Sequence, residues 1–158
     1  MQLFILDRNP AFSPQMLCDI HVRKMCLETA QILSGVIFWQ QKIPYATMPK
    51  PYSVFHPVIK ALNTPFKVNW VLTYNTFLHL EYIFRFNKEH CYSKLAAMYR
   101  GTLFQPSASE DWSFARAFKN FQTLEPDIVA AYREYYRFKK SQISRWYYTK
   151  RKEPDWLG

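Results

Sequence analysis

Glycine is nearly absent from this sequence, with three in 158 residues. So few exclude a Gly-rich loop of the kind that cradles phosphates, and they favour helices over a meander of short strands. Long apolar runs are missing as well. Nothing approaches the roughly 20 residues of a membrane-spanning helix, and Asp7, Arg8 and Pro10 interrupt the short apolar start that a signal peptide would need. The three cysteines, Cys18, Cys26 and Cys91, make neither a disulfide framework nor a CxxC pair. Cys18 and His21 stand one helical turn apart, as zinc ligands do, but no second pair joins them. No metal and no cofactor is therefore expected, and the setting is expected to be reducing and cytoplasmic. Acidic residues are few: 12 face 21 lysines and arginines, for a net charge of +9. A surface of that sign attracts polyanions, nucleic acid first and a membrane surface only as a competitor.

What is present is organised around Cys18 to Ser34. At about 100° per residue His21, Lys24, Glu28 and Gln31 fall in one stripe, while Met16, Ile20, Leu27, Ala30 and Leu33 gather opposite. Two readings fit: a solvated face with a Lys24/Glu28 pair, or a chemical site. The second is favoured because Ile20, Val22, Met25, Cys26, Leu27, Ile32 and Leu33 make the helix apolar around most of its circumference. Charges on a buried helix need a partner, a cleft or a ligand.

The chain reads as one all-α domain spanning 1–158, preceded by a short extended apolar segment, Met1 to Asp7. Ser13 as N-cap and Pro14 at the first helical position start a helix running to Ser34, with Gly35 as its stop. Pro44, Pro49 and Pro51 mark a surface loop from Gln40 to Tyr52. His56-Pro57 opens a short helix, Val58 to Leu62, which holds His56 either facing an anion or satisfied by local backbone. Phe66 to Phe86 reads as a long, mostly buried helix, and Cys91 to Arg100 as a short one stopped by Gly101. Thr102 to Pro126 holds a turn or two of helix at most. The last helix starts at Glu125-Pro126-Asp127, with Ile128, Tyr132, Tyr135, Tyr136, Ile143 and Trp146 as its apolar side.

Residues 127–158 form a basic, aromatic helix and tail. Arg133, Arg137, Lys139, Lys140, Arg145, Lys150, Arg151 and Lys152 alternate with Tyr135, Tyr136, Phe138, Trp146, Tyr147, Tyr148 and Trp156. Cations that grip phosphate beside rings that stack on bases suit opened or single-stranded nucleic acid. Arg23, Arg133, Arg137, Lys140, Arg145, Trp146, Lys150, Arg151 and Trp156 are accordingly the expected DNA contacts. Packing of the rings into a core, with the cations as a solvated face, is the competing account.

Leu6-Asp7, Cys18-Asp19, His21-Val22, Lys24-Met25, Leu27-Glu28, Ala30-Gln31, His56-Pro57, Asn69-Trp70, Glu81-Tyr82, Ala131 to Tyr136 and the closing Trp146, Arg151, Pro154 and Trp156 resemble a group of small phage-encoded proteins. More loosely, the chain is similar to the phage pyrimidine-dimer DNA glycosylases of the endonuclease V type, which are small, basic and helical. That resemblance implies a glycosylase and lyase acting on damaged DNA, with an N-terminal amine that forms a Schiff base and a first-helix glutamate that manages protons. Here these would be Met1 and Glu28, with Lys24 as the alternative amine if burial or Arg23 favours its neutral form, and His21 and His56 as site-shaping donors. As a class, α-amines titrate near 8, low enough for nucleophilic work. Extruding a base would also use the aromatic rings. The location implied is the cytoplasm of a host cell. Three other functions remain open. The chain could bind nucleic acid without catalysis, or engage a host protein through the aromatic tail. It could also be a metal-dependent hydrolase drawing on Cys18, His21, Glu28, His56, His79 or His90.

Overall fold

The computed structural model describes residues 1–42 and 47–158, so Pro44, in the loop expected after Gln40, lies outside the described residues. The described residues contain five α-helices and no strand: α1 (Asp19–Gln41), α2 (Pro57–Ala61), α3 (Pro65–Phe86), α4 (Ala96–Leu103) and α5 (Ile128–Ser141). Helices α1 and α3 pack on each other, α2 lies against α1, and α4 touches both long helices. No described helix is long and apolar enough to cross a membrane.

The apolar opening becomes the centre of the core. Leu3, Phe4, Ile5 and Leu6 are all buried without regular secondary structure, so side chains must satisfy their backbone. Ser13 Oγ donates to the Phe4 carbonyl and accepts from Leu6 N–H, each at 2.9 Å, and Arg133 Nε donates to the Leu6 carbonyl at 2.9 Å. That engagement corrects the expected N-cap. With Ser13 tied to the first segment, Ser13–Met16 closes only a 3-10 turn, Leu17 and Cys18 are extended, and α1 begins at Asp19.

Gly35 does not stop α1. A Cβ there would come 2.5 Å from Ile59 Cδ1, so its bareness lets α2 approach α1. The helix ends instead at Lys42, in the left-handed conformation, whose N–H reaches the Phe38 carbonyl.

The α3 boundaries agree with the sequence reading. The next helix does not, because it runs through Gly101 to Leu103 after a 3-10 turn at Ser93–Leu95. From Phe104 to Asp127 no helix forms among the described residues. Short polar side chains take the backbone there, as when Asp111 Oδ1 accepts from Ser113 N–H at 3.0 Å. The segment is moored by the buried Lys67, which pairs with Asp111 at 3.0 Å, and by Tyr132, whose hydroxyl donates to the Ala115 carbonyl at 2.7 Å. Asp127 caps α5 by accepting from Ala130 N–H at 2.9 Å. Ile128, Tyr132, Tyr135 and Tyr136 are its buried face, whereas Ile143 and Trp146 lie beyond its end.

Candidate active site

The carboxylate of Glu28 is where the sequence-predicted groups meet. Two turns into a helix that is otherwise largely core, Glu28 is only 8% exposed. Its Oε2 accepts from the backbone N–H of Gln2 at 2.7 Å, which brings Met1 alongside. Lys24 Nζ stands 3.4 Å from Oε1, one turn earlier on α1. His56 opens α2, where its Nδ1 accepts from Val58 N–H at 3.3 Å. Burial and the Met1 ammonium push the His56 imidazole below its ordinary pKa, and Glu28 pulls it the other way, so both charges are within its reach. Amine and carboxylate thus meet, and the imidazole feels the charge of both. Tyr74, fully buried with no partner for its hydroxyl, and Tyr135 also feel the Glu28 charge.

Lys24 and His21 behave differently from the expectation. The Lys24 side chain is 61% exposed, so its head group stands in water beside the carboxylate and not in the core. His21 lies two turns before Glu28, roughly 10 Å along the axis, in a separate aromatic box. Phe4, Tyr136 and Trp146 surround its ring at 4.7, 5.3 and 5.5 Å. The Tyr136 hydroxyl accepts from Cys18 N–H at 2.8 Å and shares a 2.9 Å hydrogen bond with His21 Nδ1, whose direction follows the imidazole tautomer. Burial first, then Lys24 and Lys139, push the His21 pKa down to about 3.

The C-terminal cations are engaged by the protein's own acceptors and rings more than their alternation with aromatic residues predicts, although Arg137 and Lys150 stay exposed. Arg133 and Arg137 flank the Trp156 ring at 5.0 and 5.7 Å, and Arg137 donates twice to the Trp156 carbonyl. Lys140 pairs with Glu153 at 2.7 Å, and Lys150 donates to the Phe84 carbonyl at 2.8 Å. Arg151 grips Glu81 with contacts of 3.0 and 2.8 Å. Trp146 packs on Tyr136 at 5.0 Å. The physical reason is a supply of inward acceptors that linear spacing does not display. Arg145 and Tyr147 remain exposed, and Arg23 lies over the Phe86 ring at 4.3 Å.

Sequence reasoning missed two clusters. In one, the fully buried Arg85 donates to Glu81, Asp19 and the Leu17 and Gln15 carbonyls. The i, i+4 spacing of Glu81 and Arg85 signalled a pair but not its burial. In the other, Cys26, His79 and His90 place ligand atoms within 4.8 Å of one another, a grouping that no local spacing announces. An apolar pocket of about 370 Å³ lined by Val36, Trp39, Ile59, Leu62 and Leu103 contains none of these groups.

The fold and site therefore define a class: a basic all-α domain with a nearly buried carboxylate, Glu28, bonded to the N–H of Gln2 at the edge of its core. Comparison with family models, curated proteins and solved structures finds no match.

Proposed function

We propose that the protein binds damaged or opened DNA and excises a base through an amine nucleophile, with Glu28 managing the protons. The observation that carries this reading is the Gln2 N–H bond to Glu28 Oε2, which holds the Met1 amine beside a nearly buried carboxylate within electrostatic reach of His56. The neutral amine adds to the sugar C1′ as the glycosidic bond breaks and the base leaves with the bonding pair. The proton lost by nitrogen passes to Glu28, which returns one to the ring oxygen as the sugar opens to an imine. Met1 is favoured over Lys24 because the Lys24 head group is solvated. Phosphate contacts would fall to Arg23, Lys24, Lys139 and Arg145, while Arg133, Arg137, Lys140, Lys150 and Arg151 shape the surface that the strand meets.

Borohydride reduction of a mixture with abasic or damaged duplex tests the chemistry. A covalent adduct mapping to the Met1 peptide, lost in Glu28→Gln, is expected. No adduct, or one indifferent to Glu28→Gln, would overturn the catalytic reading. A second reading is favoured by Phe77, Leu80 and Phe84, which leave one stripe of α3 exposed. An apolar stripe of this kind suits a protein partner such as a host factor. In that case affinity for DNA would be absent at low salt, where phosphate binding is strongest.

A further inference from the structure

Cys26 is fully buried on α1, His79 is buried on α3, and His90 is partly buried in the turn that follows α3. One ligand atom from each lies within 4.8 Å of the others. The His79 Nε2 faces the Asn75 amide at 3.5 Å, and its other ring nitrogen, Nδ1, is buried with no hydrogen-bond partner. An orphaned buried nitrogen costs free energy unless something occupies it. The Asn75 amide is fixed by its N–H bond to Thr29 Oγ1 at 2.9 Å, and Thr29 in turn donates to the Met25 carbonyl, so the polar group behind the His79 ring is held in place. A fourth group is close by: the Cys91 Sγ is 3.9 Å from His90 Nδ1, and its charge is felt by the Cys26 thiol.

We propose that Cys26, His79 and His90, closed by Cys91, form a tetrahedral Zn²⁺ site that clamps the turn after α3 onto α1. Two thiolates and two imidazoles suit zinc better than hard cations, which prefer oxygen. Ideal zinc bond lengths place neighbouring ligand atoms roughly 3.5 Å apart, so Cys26, His79 and His90 need only draw together around the ion, while the exposed Cys91 has to swing in to take the fourth position. Each bound thiol gives its proton to solvent, and no redox change is involved. The site is structural, its ligands all supplied by protein, and it is independent of the chemistry proposed at Glu28.

The test is elemental analysis of protein purified with zinc, together with a Co²⁺ titration of the metal-free chain. One equivalent of zinc is expected, with cobalt giving the intense visible bands of a tetrahedral site and a thiolate charge-transfer band. Cys26→Ser should weaken binding by about 100-fold or more. If Cys26→Ser does not fold, His90→Asn, on the partly exposed turn, carries the same expectation. Cys91→Ser should retain the ion with part of the charge-transfer intensity removed; unchanged intensity would remove Cys91 from the site. Absence of stoichiometric metal and of the cobalt bands in the wild-type chain would overturn the proposal, as would variants that bind as tightly as wild type.

Discussion

Two glutamates sit in the interior of this protein, and they are treated in opposite ways. Glu81 on α3 is saturated: Arg85 Nε meets it at 2.6 Å and Arg151 meets both oxygens. Glu28 on α1, almost as deeply buried, receives one backbone N–H and a loosely held, solvated lysine. A buried charge whose lone pairs are filled is architecture; one left with room beside an amine is available for proton transfer. The same division separates two imidazoles. His21 is boxed in by rings, while His56 stands at a helix start between two opposite charges.

Substitution tests this contrast most sharply at the carboxylates. Glu81→Gln leaves Arg85 with Asp19 as its remaining charged partner and deprives Arg151 of its carboxylate, and should cost about 1.5–3 kcal/mol in a urea titration. Glu28→Gln keeps an acceptor for Gln2 N–H and should cost under about 1 kcal/mol. Equal losses at the two sites would erase the distinction. For the imidazoles pH is the lever. The His21 pKa is lowered from 6.5 to about 3, so in that window the unfolded chain takes up a proton that the native chain refuses. Its contribution is complete above about 6.5 and falls away with acid, by up to ~1.4 kcal/mol per pH unit. A urea midpoint followed from pH 7 to 4 should show that slope, and His21→Phe should reduce it to the part left by His79, whose pKa burial pushes down to about 4; an unchanged slope in the variant would refute the assignment. The smallest effect is expected at Lys24→Ala. An exposed i, i+4 pair contributes within about 0.5 kcal/mol, and a larger loss by thermal melt would mean that Lys24 does more than rest on the surface.

Much of this division was legible in the sequence, and the misses have a common cause. Helical periodicity located α1, α3 and α5 because their apolar spacing extends over many turns. Glu28 stood out for the same reason, as a charge on a helix with almost no polar circumference. Gly35 misled because glycine in a helix either ends it or admits a neighbour, and the neighbour here is Ile59, 24 positions away; Gly101 does neither, sitting inside α4 with open space around it. Trp146 and Arg151 misled because their partners, His21 and Glu81, are distant in sequence. Local pattern reports what a residue prefers; it does not report which acceptor the fold delivers to it.

The anchoring of Leu3 to Leu6 sets an order of events during synthesis. The Leu6 carbonyl waits for Arg133, and the Phe4 ring waits for Tyr135 and Tyr136, groups that leave the ribosome almost a whole chain later. Contacts of such sequence separation form slowly. The segment beside Glu28 therefore has only Ser13 and Glu28 to hold it until α5 arrives, and a nascent or truncated chain lacking that helix leaves the Leu6 carbonyl without its Arg133 donor and the Phe4 ring without Tyr135 and Tyr136.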